Sequence, residues 1–60
     1  MTISQYVDVA RRPDLYTFEQ VEDAFGHWSR RAMLSSDEHA ATAARIWRRM
    51  CAEALQAKED

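Results

Sequence analysis

The stretch from Ser35 to Lys58, SSDEHAATAARIWRRMCAEALQAK, contains neither Gly nor Pro and constrains everything else the chain can do. Its apolar residues, Ala40, Ala43, Ala44, Ile46, Trp47, Met50, Cys51, Ala54 and Leu55, return at helical spacing. The spacing predicts one long helix over about residues 36–58. Ser35 with Glu38 supplies an S-x-x-E capping box, and Asp37 and Glu38 place negative charge where the helix dipole is positive. At roughly 100° per residue the apolar positions cover about half the circumference. A stripe of that width needs more than one neighbour to cover it.

The neighbours come from the preceding residues. Thr2 and Gln5 form a T-x-x-Q capping box ahead of Ile3, Tyr6, Val7 and Ala10, predicting a short helix over about 3–11. Arg11 and Arg12 sit at its C-terminus, where cations are favoured, and Pro13 pushes Arg12 out of helical geometry. Asp14 and Leu15 then make a tight connection. Thr17 and Gln20 repeat the box, with Tyr16 placed to staple onto Val21. Phe18, Val21, Phe25, Trp28 and Ala32 follow the rhythm of a helix seam, predicting a second helix over about 18–33.

A short turn at Leu34 and Ser35 makes the second and third helices antiparallel neighbours. With the turn centred on Ser35 and Ser36, Phe25 faces Ile46 and Trp47, Val21 faces Met50, Trp28 faces Ala43, and Arg48 and Arg49 lie beside Asp23 and Glu22. The expected fold is therefore all-α: a short N-terminal helix packed on an antiparallel two-helix hairpin, residues 1–60 forming a single domain. The expected core is Ile3, Tyr6, Val7, Leu15, Phe18, Val21, Phe25, Trp28, Ala43, Ile46, Trp47, Met50, Ala54 and Leu55.

Sixty residues bury only about 60% of the surface of the unfolded chain, so a lone copy is marginal. The single Cys51 excludes an internal disulfide, and no cysteine cluster has zinc spacing. Self-association through Ile46, Trp47, Met50, Ala54 and Leu55 is the remaining device, giving a homodimer that completes a helical bundle. The longest uninterrupted apolar run, Ala32 to Leu34, is far too short to span a bilayer or to act as a signal sequence, so the expected location is cytoplasmic, with no membrane partner.

Five arginines, Arg30, Arg31, Arg45, Arg48 and Arg49, offer a strip for phosphates or for an acidic partner. The formal net charge of −2 favours cross-helix pairing with Glu19, Glu22 and Asp23 instead. His27 and His39 fall on different helices with no further ligands beside them, so neither a metal nor a cofactor is expected. Asp23 and His27 read as an i, i+4 pair on an exposed face. Cys51, on the apolar side, reads as a small buried hydrophobe. Gly26 costs about 1 kcal/mol within a helix, so either the position is tolerant or, the favoured reading, another backbone comes close there, with Ala40, Ala41 and Ala44 as suitable partners. Met33 and Leu34 either close the end of the core or form a contact patch.

Tyr6 with Arg11 and Arg12, then Thr17-Phe18-Glu19-Gln20-Val21, then Leu34-Ser35 with Glu38 and Ala40, resemble the pattern of the Hha/YmoA family, small helical proteins that modulate bacterial gene expression by binding the nucleoid protein H-NS. The resemblance spans about two thirds of the chain, with a one-residue shift after Arg12 and extra residues in the second helix. It implies an all-α regulatory protein. Trp47 stands where the family carries an acidic residue implicated in partner binding, so the H-NS role and its site residues do not carry over.

No nucleophile–base pair can be assembled, so an enzyme is not expected. The expected function is a small non-enzymatic interaction or regulatory protein that docks a helical face on an as yet unidentified protein partner, a size typical of phage and plasmid proteins. The alternative is a nucleic-acid-binding protein that uses the arginine strip.

Overall fold

The computed structural model describes residues 1–59. It contains three α-helices, α1 (Ile3–Arg11), α2 (Phe18–Leu34) and α3 (Glu38–Glu59), with a single 3-10 turn over Pro13–Leu15 between the first two. Asp60, the last residue of the expected domain, lies outside the described residues. The fold is all-α, with no strand among the described residues.

Both T-x-x-Q boxes form. The Gln5 N–H donates to Thr2 Oγ1 (3.3 Å) while Gln5 Oε1 accepts from the Thr2 N–H (2.8 Å). Thr17 and Gln20 repeat the exchange at 3.2 and 2.9 Å. Each pair satisfies two N–H groups that a helix start leaves without partners. Helix α1 ends as Arg12 leaves helical geometry (φ −133°, ψ 59°), and the Arg12 N–H donates to Asp8 O at 2.8 Å. Pro13 then opens the 3-10 turn, where its missing donor is not needed.

The start of α3 differs from expectation. Ser35 caps the end of α2, donating its N–H to Arg31 O (3.0 Å), and its Oγ accepts the Asp37 N–H (3.3 Å). Asp37 takes the cap of α3 instead, its Oδ1 accepting the His39 N–H at 3.0 Å. Of three adjacent candidates, Asp37 alone brings both an acceptor and a full negative charge to the dipole. The pairing with α2 differs too. Trp47, about one turn beyond Ala43, meets Trp28, with ring centroids 6.2 Å apart. Arg48 lies over the Phe25 ring (5.2 Å) and donates from Nε to Ser29 Oγ (3.0 Å), not to Asp23. Arg49 pairs with Glu53 on its own helix (3.4 Å), not with Glu22.

The buried core consists of Val9 and Ala10 from α1, Val21, Ala24 and Trp28 from α2, and Ala41, Ala44 and Cys51 from α3. Tyr6, Val7, Tyr16, Phe25, Trp47, Met50, Ala54 and Leu55 pack around it as half-buried margins. Five residues expected inside are exposed: Ile3, Leu15 at 71%, Phe18, Ala43, and Ile46 at 55%. Leu15 lies in the 3-10 turn and Ile3 and Phe18 are the first residues of their helices, whereas for Ala43 and Ile46 the cause is helix rotation. On α3 the row facing inward is the small one, Ala41, Ala44 and Cys51, which lets the helices approach closely. Trp47 is thereby moved to the flank, and Ile46, a further 100° round the helix, points away from the core. On α1, Tyr6 is held by its neighbours: its carbonyl accepts the Trp28 indole N–H at 3.3 Å, and its ring stacks on His27. Val9 and Ala10 face inward beyond it, and Ile3, on the same side as Ala10 but at the first residue of the helix, is exposed.

Gly26 is not a close-approach site. A Cβ placed there meets only the guanidinium of Arg30, at 3.6 Å, an ordinary contact with a flexible side chain.

Candidate functional site

Two surfaces hold the residues that sequence reasoning singled out. The first is the outer flank of α3. Ile46 is exposed there, whereas Trp47, Met50, Ala54 and Leu55 are half-buried against the chain's own core, so the five do not share one open face. Exposed Ala43 and Ala57 stand with Ile46 and Met50 at helical spacing along the same side. The wide apolar stripe thus has α1 and α2 over its centre and an uncovered edge on which Ile46, Ala43 and Ala57 share the side with exposed Glu53.

The second surface is a shallow depression of about 330 Å³ beside the C-terminal half of α2, lined by His27, Arg30, Arg31, Leu34 and Ser35. Arg30, Arg31 and Leu34 fall on the same side of the helix as His27 because they follow it by three, four and seven residues. The other arginines stand apart from this depression. Arg48 is engaged by Phe25 and Ser29, Arg49 by Glu53, and Arg45 is exposed without an ion pair among the described residues. The five arginines therefore separate into groups with different surroundings.

His27 does not sit on an exposed face paired with Asp23. Its ring stacks on Tyr6 (centroids 3.9 Å apart, planes 8° apart) and stands edge-on to Trp28 at 4.8 Å. Asp23 instead accepts the Tyr6 hydroxyl at 3.1 Å. The Nε2 atom of His27 is hidden from water with no hydrogen-bond partner among the described residues. Burial lowers the imidazole pKa below 6.5, and the positive charges of Arg31 and Arg30 lower it further. Sequence reasoning missed this cluster because its aromatic members come from two helices and no local spacing announces the stack.

Tyr6 and Tyr16 hold their protons more firmly than usual because each donates its hydroxyl to a carboxylate, Asp23 and Asp8 respectively. The Cys51 thiol is pushed up to about 11 by burial, which keeps it un-ionised at neutral pH. Its place in the inner row matches the small-hydrophobe reading. His39 is exposed on the first turn of α3. Among the described residues no group of three or more His, Cys, Asp or Glu is placed to hold a metal ion, and no helix is long and apolar enough to cross a membrane. Met33 (83% exposed) and Leu34 (81%) lie open at the end of α2 and do not close the core. Comparison with family models, with curated proteins and with solved structures finds no match.

Proposed function

We propose that this chain is a non-enzymatic interaction module whose first partner is a second copy of itself, docked along the outer flank of α3. The observation that supports this reading is Ile46, 55% exposed midway along the longest helix, with Ala43 and Ala57 exposed and Met50 half-buried on the same side. A second copy set against that flank would cover these residues and extend the three helices into a larger bundle. The small size of the chain adds weight, since burying more apolar surface is the means of stabilisation left to a chain with one cysteine. A regulatory role follows naturally for a module of this kind, because a face shared between self-association and a further partner makes the two compete.

Sedimentation equilibrium at micromolar concentration tests the reading. A mass of twice 7.0 kDa is expected, and Ile46→Glu should return the chain to monomer without loss of helical content, because position 46 lies outside the core. A wild-type monomer at every concentration refutes it. Nucleic-acid binding has less support, since Arg48 and Arg49 already have partners within the chain. A mobility shift that weakens steeply with salt and on Arg45→Ala would favour that alternative.

A further inference from the structure

The depression on α2 gathers positive charge that the chain itself leaves unused. Arg30 and Arg31 both line it, and neither makes an ion pair among the described residues. The His27 ring forms part of the wall, its own Nε2 hidden from solvent. The Met1 ammonium is close enough to act on the same imidazole. Asp23 is the one acidic group acting on His27 among the described residues, and its carboxylate is engaged by the Tyr6 hydroxyl.

We infer that this depression is a binding site for a phosphate monoester, its dianion held by the Arg30 and Arg31 guanidiniums and seated beside the His27 imidazole. A carboxylate is planar and is satisfied by a single guanidinium through two parallel hydrogen bonds. A phosphate dianion presents three oxygens and two charges, which suits two guanidiniums set at successive positions around one helix. The volume of about 330 Å³ leaves room beyond the phosphate, and exposed Leu34 in the lining offers an apolar contact for an organic substituent. The C-terminal end of the α2 dipole opposes an anion, but its effect is that of a partial charge, against two full ones on the arginines.

Binding is coupled to a proton. The His27 ring stacks on Tyr6 from α1, the charges acting on it are those of Arg31, Arg30 and Asp23 on its own helix and, least, the Met1 ammonium, and no group of α3 is among them. A dianion placed among these cations offsets their repulsion of an imidazolium, so the bound state favours the protonated ring.

NMR titration of the full chain at constant ionic strength is the test, with inorganic phosphate, phenyl phosphate and acetate as probes. Both phosphates should give saturable shifts centred on residues 27–35 and raise the His27 titration midpoint, with phenyl phosphate binding the more tightly. Arg30→Gln with Arg31→Gln should weaken binding about tenfold or more, since a hydrogen bond to a charged group outweighs the energy of a tenfold change and the pair of substitutions removes at least two. Both side chains are exposed, so the fold should survive and the amide spectrum away from α2 should not move. A non-saturating response, an equal response to acetate, or undiminished binding by the double variant overturns the site. Equal or weaker binding of phenyl phosphate overturns the assignment to a monoester. The site does not depend on self-association, so a monomeric chain leaves this test intact.

Discussion

At the scale of single residues, small side chains fill the inner row of α3 and much of the interior around Val9, Val21 and Trp28. Ala24, Ala41, Ala44 and Cys51 occupy the interior, while the larger Ile46 and Leu15 lie outside it. Periodicity revealed the apolar side of each helix, and Val21, Trp28 and Cys51 lie where it placed them. It could not reveal the centre of that side, because a stripe covering half a helix has several rows able to face inward, and packing between rows decides among them. Gly26 shows the same limit. A helical glycine suggested a tight crossing, yet the space beside it holds only the Arg30 guanidinium. Gly26→Ala should therefore stabilise the chain by about 0.5–1 kcal/mol, through better helix propensity and a less flexible unfolded state. Urea denaturation with an unchanged m-value would verify this, and a loss of stability would show that position 26 is crowded after all.

At the scale of helices, starts with one strong candidate were legible and the start with three was not. Thr2 and Thr17 each stand alone with a Gln three residues on, and both boxes form. Ser35, Ser36 and Asp37 compete, and Asp37 takes the cap while Ser35 serves the end of α2. The partners across the hairpin differ as well: Trp28 meets Trp47, and Arg48 finds Phe25. Asp37→Ala should cost about 1 kcal/mol, whereas Ser36→Ala should be nearly neutral, since Ser36 is exposed and makes no capping bond. Thermal unfolding of the two variants separates them. Equal losses would return the cap to the serines.

At the scale of the whole molecule, acid should loosen the structure as pH falls through the ordinary histidine value. His27 has a lower pKa in the fold than its ordinary 6.5, chiefly through burial. The unfolded chain therefore binds that proton more readily, and stability is full above the ordinary value and declines as pH falls through it. Tyr6 and Tyr16 act at the opposite end. Their raised values give stability that is present below 10.0 and lost as pH rises through the raised range. Denaturant midpoints should thus form a plateau between the ordinary histidine value of 6.5 and the ordinary tyrosine value of 10.0, with a decline on the acid side of 6.5 that is smaller in His27→Gln. A decline undiminished in His27→Gln would assign it to another group. The candidate depression was only half legible from sequence: Arg30 and Arg31 are visible as a charged pair, but the stack that seats His27 beside them joins α1 to α2 across 21 positions of sequence.

The meeting of Trp28 with Trp47 gives the molecule an optical reporter of its own. Two indoles 6.2 Å apart, tilted by 36° and carried on different helices, have electronic transitions that couple. Their joint signal in near-ultraviolet circular dichroism depends on the two helices lying together, whereas far-ultraviolet ellipticity depends only on each being wound. Dissociation of α3 from α2 would extinguish the coupled signal, so the closing of the pair can be followed in the unmodified chain without any attached dye.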